Sequence, residues 1–557
     1  MEIGAAQGKA VPRLINSPGL ALTWERSVVL ALAAMVVLGF GLRLRGLSSL
    51  GLAEDEVNKV EAVRAYEHGD LRPNAEHPML MKSLIYVSVQ AARGWHAATG
   101  ETISEETIVR LPNAIFGALT VVPLFLLTAA FFDRRTALLA ATFWSFGINA
   151  ITYSRVAKED TLLVFFLLFA LYFYLRAKQT NGHEAKRKRG FYIWSGASFG
   201  LMMASKYFPH YFGLNALYHH YFHVRKSEPG EPPGGVHPAY YVALVAAFLI
   251  ANPAALLPQT WNYFDAYASE QMLKHSGYLV GAHLYQNKMS ATPFWGTPVY
   301  FYLLFLAIKV PLSVLLASLV GLGISIRRWR HPGHAFVLFM VFFWIVPYSL
   351  IGAKWLRYTL SLMPFVYMLA AVGIVTLLNW ASGLLKRTGA KHAMQFAAVA
   401  VLISVLVVWP AWIAYANGPH YALYTNELAP GRAGYYFPHD EFYDDGLREA
   451  IRYVCDTAPS GALLANETPG VVRYYLEKFS RPDLQSRVLS DPNFTITGDE
   501  AEAYVIFQKG RTYFENQEEM KIVRARYHLV HVVCVQGQTA AEVYATNART
   551  TAQPCGP

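Results

Sequence analysis

Residues 51–84 read GLAEDEVNKVEAVRAYEHGDLRPNAEHPMLMKSL. The stretch opens on an acidic triplet, Glu54-Asp55-Glu56, and closes on His77-Pro78 with Lys82 just behind. An apolar run precedes it near 27–42 and another follows near 112–132. So many ionisable groups beside membrane-length segments call for a solvated loop or a reaction site. Either way the stretch is a loop between two spans of a polytopic membrane protein.

The rest of the chain agrees. Its 557 residues are 54% apolar and only 15% charged, against about a quarter charged in soluble proteins. The formal net charge of +10 is unevenly placed: from Asn417 onward 13 Lys and Arg face 18 Asp and Glu, whereas 35 face 20 before it. A basic membrane part beside an acidic tail is what Lys- and Arg-rich cytoplasmic loops produce, so the charge reports topology and no nucleic-acid partner is expected.

Apolar runs of the length needed to cross a bilayer as a helix fall near 27–42, 112–132, 137–152, 161–176, 191–205, 207–223, 238–257, 298–325, 335–351, 359–380 and 394–415. That predicts about eleven transmembrane helices, with the fifth and sixth meeting at Ser205-Lys206-Tyr207 as a broken or re-entrant pair. With the N-terminus inside, every inner loop is basic, including Lys186–Arg189 and Lys386-Arg387, while the outer loops 43–111 and 258–297 are close to balanced. The pattern predicts a multi-pass plasma (inner) membrane protein whose C-terminal part lies outside the cytoplasm. The first segment, followed by Arg43 and Arg45 without a small-residue cleavage site, reads as a retained anchor.

Two domains are expected: a membrane part, 1–416, and a soluble α/β domain, 417–557. In the second, helices are predicted over 442–456, 469–478 and 512–526, and strands over 462–465, 503–508, 528–535 and 541–544. All three cysteines, Cys455, Cys534 and Cys555, lie there. One disulfide with one thiol left over, or three unpaired cysteines, fits an outward domain equally.

Adjacent carboxylates at Asp55-Glu56 either solvate a helix end or act on a substrate. A hydroxyl acceptor attacking a sugar carbon needs a carboxylate in reach to take its proton. Neighbours on a helix point about 100° apart, so only one of the two can face the reacting atom. In His77-Pro78-Met79-Leu80-Met81-Lys82, the lysine either snorkels from an interfacial helix or supplies a point charge to a phosphate ester. Arg155 with Asp160 reads as an interfacial ion pair or a site; Lys206 within a broken apolar run is costly unless paired.

Here the pattern becomes specific. An Asp-Glu pair after the first span, then HP-x-L-x-K in the same loop, resembles the protein O-mannosyltransferase family, whose loop typically reads DE followed by HPPLGK. This chain has Met79 for the second proline and Met81 for the glycine. Arg110-Leu111-Pro112 with Phe116-Gly117, Ser154-Arg155 with Asp160, Ala204-Ser205-Lys206-Tyr207 and Arg357-Tyr358 also resemble this group, in the same order along the membrane part. The wider group includes bacterial transferases that add aminoarabinose to lipid A.

The resemblance implies the C-superfamily glycosyltransferase fold and an inverting transfer, from a polyprenyl-phosphate sugar to an acceptor hydroxyl on a protein, lipid or glycan at the outer face. By the same carry-over, Asp55 is the general base and Glu56 orients acceptor or base. Lys82, Arg155, Lys206 and Arg357 bind the donor phosphate; His77, Asp160 and Tyr358 complete the donor side. No nucleotide, metal or other cofactor is implied, since cationic side chains can stabilise a departing phosphate. A transporter would show repeats with broken helices in both halves, and only one such break is present. A polysaccharide ligase is the closer rival; an oligosaccharyltransferase would carry a WWD-type motif, and the chain has no WW pair.

Overall fold

The computed structural model describes residues 25–180, 182–207, 236–269, 276–289, 291, 294–387, 392–491, 502–547, 552, 553 and 555. Among them six helices are long and apolar enough to cross a membrane: Arg26–Leu44, Glu105–Phe131, Asp160–Gln179, Pro332–Leu350, Met363–Arg387 and Phe396–Ala416.

The other expected spans differ for local reasons. The run at 137–152 divides at Gly147 into Arg134–Phe146 and Ile148–Tyr153. That at 298–325 divides at Val310-Pro311, because proline lacks the N–H a continuous helix needs and holds the residue before it extended. The run at 238–257 gives the shorter helix Ala239–Ala251, stopped ahead of Pro253. That at 191–205 is the apolar end of Ala185–Ser205, whose first turns carry Lys186–Arg189. Beyond Tyr207, the run at 207–223 lies outside the described residues.

Small residues let these helices approach closely. A Cβ on Gly321 would sit 1.9 Å from the Leu369 carbonyl, and one on Gly373 would sit 2.0 Å from that of Ala317. The helices Leu312–Arg327 and Met363–Arg387 therefore touch backbone to backbone.

The loop of residues 51–84 folds into the start of the site. Its acidic triplet is the first turn of the helix Glu54–Tyr66, where negative side chains face the partial positive charge of the helix dipole. A turn follows, with Asn74 at φ +56°, and then the helix Leu80–Thr99.

Near the membrane part lies a hairpin of β1 (Tyr278–Val280) and β2 (His283–Tyr285). The C-terminal part carries β3 (Leu463–Asn466), β4 (Gln485–Val488), β5 (Ala503–Gln508), β6 (His528–Val535) and β7 (Gln538–Ala545). They form one sheet in the order β4-β3-β5-β7-β6, parallel between β3 and its two neighbours and antiparallel beyond. The helix Pro469–Lys478 lies where the pattern predicted it. The helix expected from 442 begins at Leu447, because Tyr443, Asp444 and Gly446 take left-handed backbone (φ +47°, +65° and +87°). The helix expected from 512 begins at Gln517. Strand β4 was not anticipated: Gln485-Ser486-Arg487-Val488 has one apolar residue, as an edge strand allows. Cys534 and Cys555 are joined in a disulfide, and Cys455 is buried with a free thiol.

The C-terminal domain does not hang free. Leu52, Val57 and Val60 of the stretch 51–84 share one apolar cluster with Met81 and Ile85, with Ala157 and Leu162, and with Ile451, Val472 and Tyr475 of the C-terminal domain. The helix Glu54–Tyr66 is thus packed between the membrane part and the helix Pro469–Lys478 of the C-terminal domain.

Candidate active site

Asp55, on the first turn of Glu54–Tyr66, keeps 30% of its side chain exposed. Lys158 Nζ lies 2.7 Å from its Oδ2, the Tyr443 hydroxyl donates to the same atom at 2.8 Å, and Arg357 Nη1 stands 3.9 Å away. Each makes its closest approach to Oδ2, which leaves Oδ1 the less engaged oxygen. Burial alone would raise this carboxyl, but the charges of Lys158, Arg357 and Lys59 hold it well below the usual carboxylate range. Burial brings Lys158 down to about 8, with Asp55 opposing the shift, so the lysine is cationic at neutral pH.

Glu56 points elsewhere. Its Oε1 accepts from Arg110 Nε at 2.8 Å and from the Ala157 N–H at 2.9 Å. Its Oε2 accepts from Arg110 Nη2 at 2.6 Å and from the Ala53 N–H at 3.0 Å, which closes the N-terminus of its own helix. Arg110 also donates to the carbonyls of Leu47, Leu50 and Gly51. The side chain of Glu56 is 0% exposed and that of Arg110 6%. The pair ties the start of the helix to residues 156–158 and so sets where Lys158 emerges.

A second group stands beside Asp55. Asp160 begins the helix Asp160–Gln179, and its Oδ1 pairs with Lys206 Nζ at 2.7 Å; its Oδ2 is buried with no hydrogen-bond partner among the described residues. Lys206 sits 4.4 Å above the centre of the Tyr358 ring. Arg357 stacks on the same ring at 5.6 Å and on Trp355 at 5.2 Å. Asp55, Asp160, Lys206, Arg357 and Tyr358 are therefore brought together, as a ring of alternating charges backed by aromatic faces.

The remaining expected donor residues serve the backbone. Lys82 is buried and donates to the carbonyls of Asn74 (2.5 Å) and His77 (2.9 Å), closing the turn before its own helix. Burial pushes its ammonium down to about 7. Arg155 donates to the carbonyls of Arg43 (3.0 Å), Arg45 (2.6 Å) and Pro419 (2.5 Å) and stacks on Tyr421 at 4.8 Å. His77 lies beside Lys59, Lys158 and Glu159, and burial pushes it down to about 3, so it is neutral at physiological pH.

Between these elements is a cavity of about 70 Å³, lined among others by Lys158, Asp160, Arg357, Arg155, Asp440 and Tyr443. Lys158, Asp440 and Tyr443 are among its residues that escaped the sequence reading. Lys158 stands in Lys158-Glu159-Asp160, where a cation just ahead of an apolar helix is itself a signal. Asp440, which accepts from the Tyr278 hydroxyl and is pushed up to about 6 by burial, gave none. Neither did Tyr443, 388 positions from its partner.

A family model described as dolichyl-phosphate-mannose-protein mannosyltransferase matches residues 93–256. The structure superposes on ArnT from Cupriavidus metallidurans in the apo state with a TM-score of 0.51, over 95% of this chain and 99% of that one, at 14% identity. The chain has the C-superfamily glycosyltransferase fold. A second likeness is to the archaeal oligosaccharyltransferase AglB from Archaeoglobus fulgidus, in complex with an inhibitory peptide and a dolichol-phosphate. It has a TM-score of 0.50 at 12% identity over 83% of this chain, which spans 65% of that longer protein. No curated protein matches this sequence. At such identities the likeness is one of fold, and the C-superfamily arrangement agrees with what residues 51–84 implied.

Proposed function

We propose that this chain is an inverting membrane glycosyltransferase that moves a sugar from a polyprenyl-phosphate donor to an acceptor hydroxyl at the extracytoplasmic face. One observation carries the reading: a partly exposed carboxylate, Asp55, is held between Lys158 and Arg357, which line a cavity where the helix Asp160–Gln179 begins. The mannosyltransferase family match and the dolichol-phosphate held by the archaeal neighbour support a lipid-phosphate donor.

The chemistry follows from the charges. In the state described, Lys158 and Arg357 neutralise Asp55, which makes it a weak base. A donor phosphate drawn to the same two cations competes for them and releases the carboxylate, raising its proton affinity at the moment the donor is in place. The acceptor oxygen then bonds to the anomeric carbon while the carbon–oxygen bond to phosphate breaks. Asp55 takes the hydroxyl proton, and polyprenyl phosphate departs with the bonding electron pair against Lys158 and Arg357. Of the cations expected at the phosphate, Arg357 keeps that role in this proposal and Lys158 joins it, in place of Lys82 and Arg155. Glu56 acts through Arg110 and the backbone.

The test is sugar release by purified protein in lipid vesicles, from a panel of mannosyl, glucosyl and aminoarabinosyl polyprenyl phosphates. Wild-type protein turns over one of these donors, and Asp55→Asn lowers that turnover at least ~100-fold. Undiminished release by folded Asp55→Asn protein would sink the base assignment. Comparing envelope lipids and proteins of a deletion strain by mass spectrometry identifies the acceptor. A reporter that fluoresces only in the cytoplasm, fused after Pro557, stays dark if the C-terminal domain is outside.

A further inference from the structure

The C-terminal domain reaches the first turn of Glu54–Tyr66 at two points. Tyr443 donates to Asp55 Oδ2 at 2.8 Å. Its neighbour Asp444 accepts the Glu54 backbone N–H at 3.1 Å, filling from a distance the capping position where Ala53 has no polar side chain. Asp444 is in turn gripped by Arg511, whose Nε lies 2.8 Å from Oδ1 and whose Nη2 lies 2.6 Å from Oδ2. The third nitrogen of the same guanidinium, Nη1, reaches Glu54 Oε2 at 3.0 Å. One arginine therefore joins the residue before Asp55 to the residue after Tyr443.

Two features set this arrangement apart from an ordinary surface contact. Tyr443 and Asp444 are consecutive residues with a Cβ in left-handed backbone, φ +47° and +65°, a conformation that persists only where the surroundings impose it and that gathers at functional sites. The second is the position of Arg511 in the sheet. From β3 the chain passes to β4 on one side and later returns to β5 on the other, so the carboxyl ends of β3 and β5 form a topological switch point. Open α/β sheets bind their ligands there. Here Gln508, which ends β5, and Arg511 just after it hold Asp444 instead, Gln508 Nε2 lying 3.0 Å from Asp444 Oδ1. The C-terminal domain uses its ligand-binding edge to hold the catalytic helix.

We propose that Tyr443 and Arg511 are positioning residues of the catalytic centre: Arg511, through Asp444, fixes the first turn of Glu54–Tyr66, and Tyr443 holds Oδ2 of Asp55 so that Oδ1 meets the acceptor hydroxyl. The inference rests on Asp55 as general base. Asp55 is faced by Glu54 and Lys59 of its own helix, by Lys158, whose ammonium also reaches Glu159, by Arg357, by His77, and by His439 and Tyr443 of the C-terminal domain. Removing the Tyr443 hydroxyl takes away a donor to the ionised form and leaves the cations in place. The proton affinity of the carboxylate rises, and the acid limb of activity moves to higher pH.

The experiment uses the full chain in vesicles with the donor that wild type turns over, comparing Tyr443→Phe, Arg511→Met and Arg511→Lys with Asp55→Asn. Tyr443→Phe is expected to lower kcat about tenfold, to leave the donor KM within about twofold, and to raise the acid limb of the kcat profile. Arg511→Met should do the same more strongly, with Arg511→Lys restoring part of the rate. A role in packing alone would lower thermal stability and yield without moving the pH limb of the folded fraction, and that result overturns the proposal. If Arg511→Met does not fold, Tyr443→Phe and Arg511→Lys decide. Wild-type kcat and pH limb in both, with Asp55→Asn inactive, overturn the clamp and leave Asp55 as base; full turnover by Asp55→Asn overturns both.

Discussion

Asp55 and Glu56 are neighbours on one helix turn, yet the chain surrounds them differently. Glu56 is 0% exposed, accepts four hydrogen bonds and faces Arg110, itself 6% exposed. Asp55 is 30% exposed, and its partners Lys158 and Arg357 line a cavity. The first pair is closed on all sides and can only hold structure. The second keeps an open side, so a ligand can exchange for one of its members. The same contrast separates the two ends of the loop: the cations beside Asp55 meet the cavity, while Lys82 is turned onto the carbonyls of Asn74 and His77. What separates a structural charge from a functional one in the proposed mechanism is whether its partners leave room for a substrate.

The comparison can be broken most forcefully at the closed pair. Arg110→Ala should yield little folded protein, because Glu56 would stay buried without its cation, a loss of about 3–5 kcal/mol. Thermal unfolding and gel filtration in detergent measure it, and a stable, active variant would mean that Glu56 is not closed in. Asp55→Asn is the opposite test: turnover falls at least ~100-fold while the melting temperature stays close to wild type.

A smaller effect separates the lysines. Lys158→Met should raise the donor KM about tenfold or more, through loss of a charge-assisted contact to phosphate. Lys82→Met should lower stability and leave the donor KM of the folded enzyme nearly unchanged. A raised donor KM in Lys82→Met would return the phosphate role to the turn at 74–82. Smallest is the pH dependence of kcat/KM for the donor. In the proposed role Lys158 holds phosphate as a cation, and burial brings it down to about 8, so kcat/KM should fall as pH rises through that value. Lys158→Arg, which does not titrate in this range, should move the limb upward. Asp55, held below the usual carboxylate range, is ionised throughout neutral pH, so the free enzyme should show no acid limb near pH 5–7 from this group.

Much of this molecule was legible in the order of its residues. Apolar runs announced membrane helices because a bilayer demands about 20 apolar residues for each crossing. Proline at 311 and glycine at 147 carry the information that broke two of the expected spans, but a hydropathy pattern weighs them as single residues among many. The acidic triplet drew attention to the turn where Asp55 meets Lys158 and Arg357, since charge beside a membrane is costly to keep unpaired. Its internal division of labour did not follow from spacing, which says only that Asp55 and Glu56 diverge.

What the sequence by itself determined is a polytopic membrane part, the α/β character of the last part and the location of the charged loop, all of which rest on local periodicity and on the cost of burying charge, while the C-superfamily fold followed from the resemblance its motifs carry. Only the tertiary structure decided which charges face a cavity. Tyr443 meets Asp55 across 388 positions, and Arg511 meets Glu54 across 457. Pairings of that separation leave no periodic trace, because each depends on how the C-terminal domain packs against the helix Glu54–Tyr66 and not on the residues beside it.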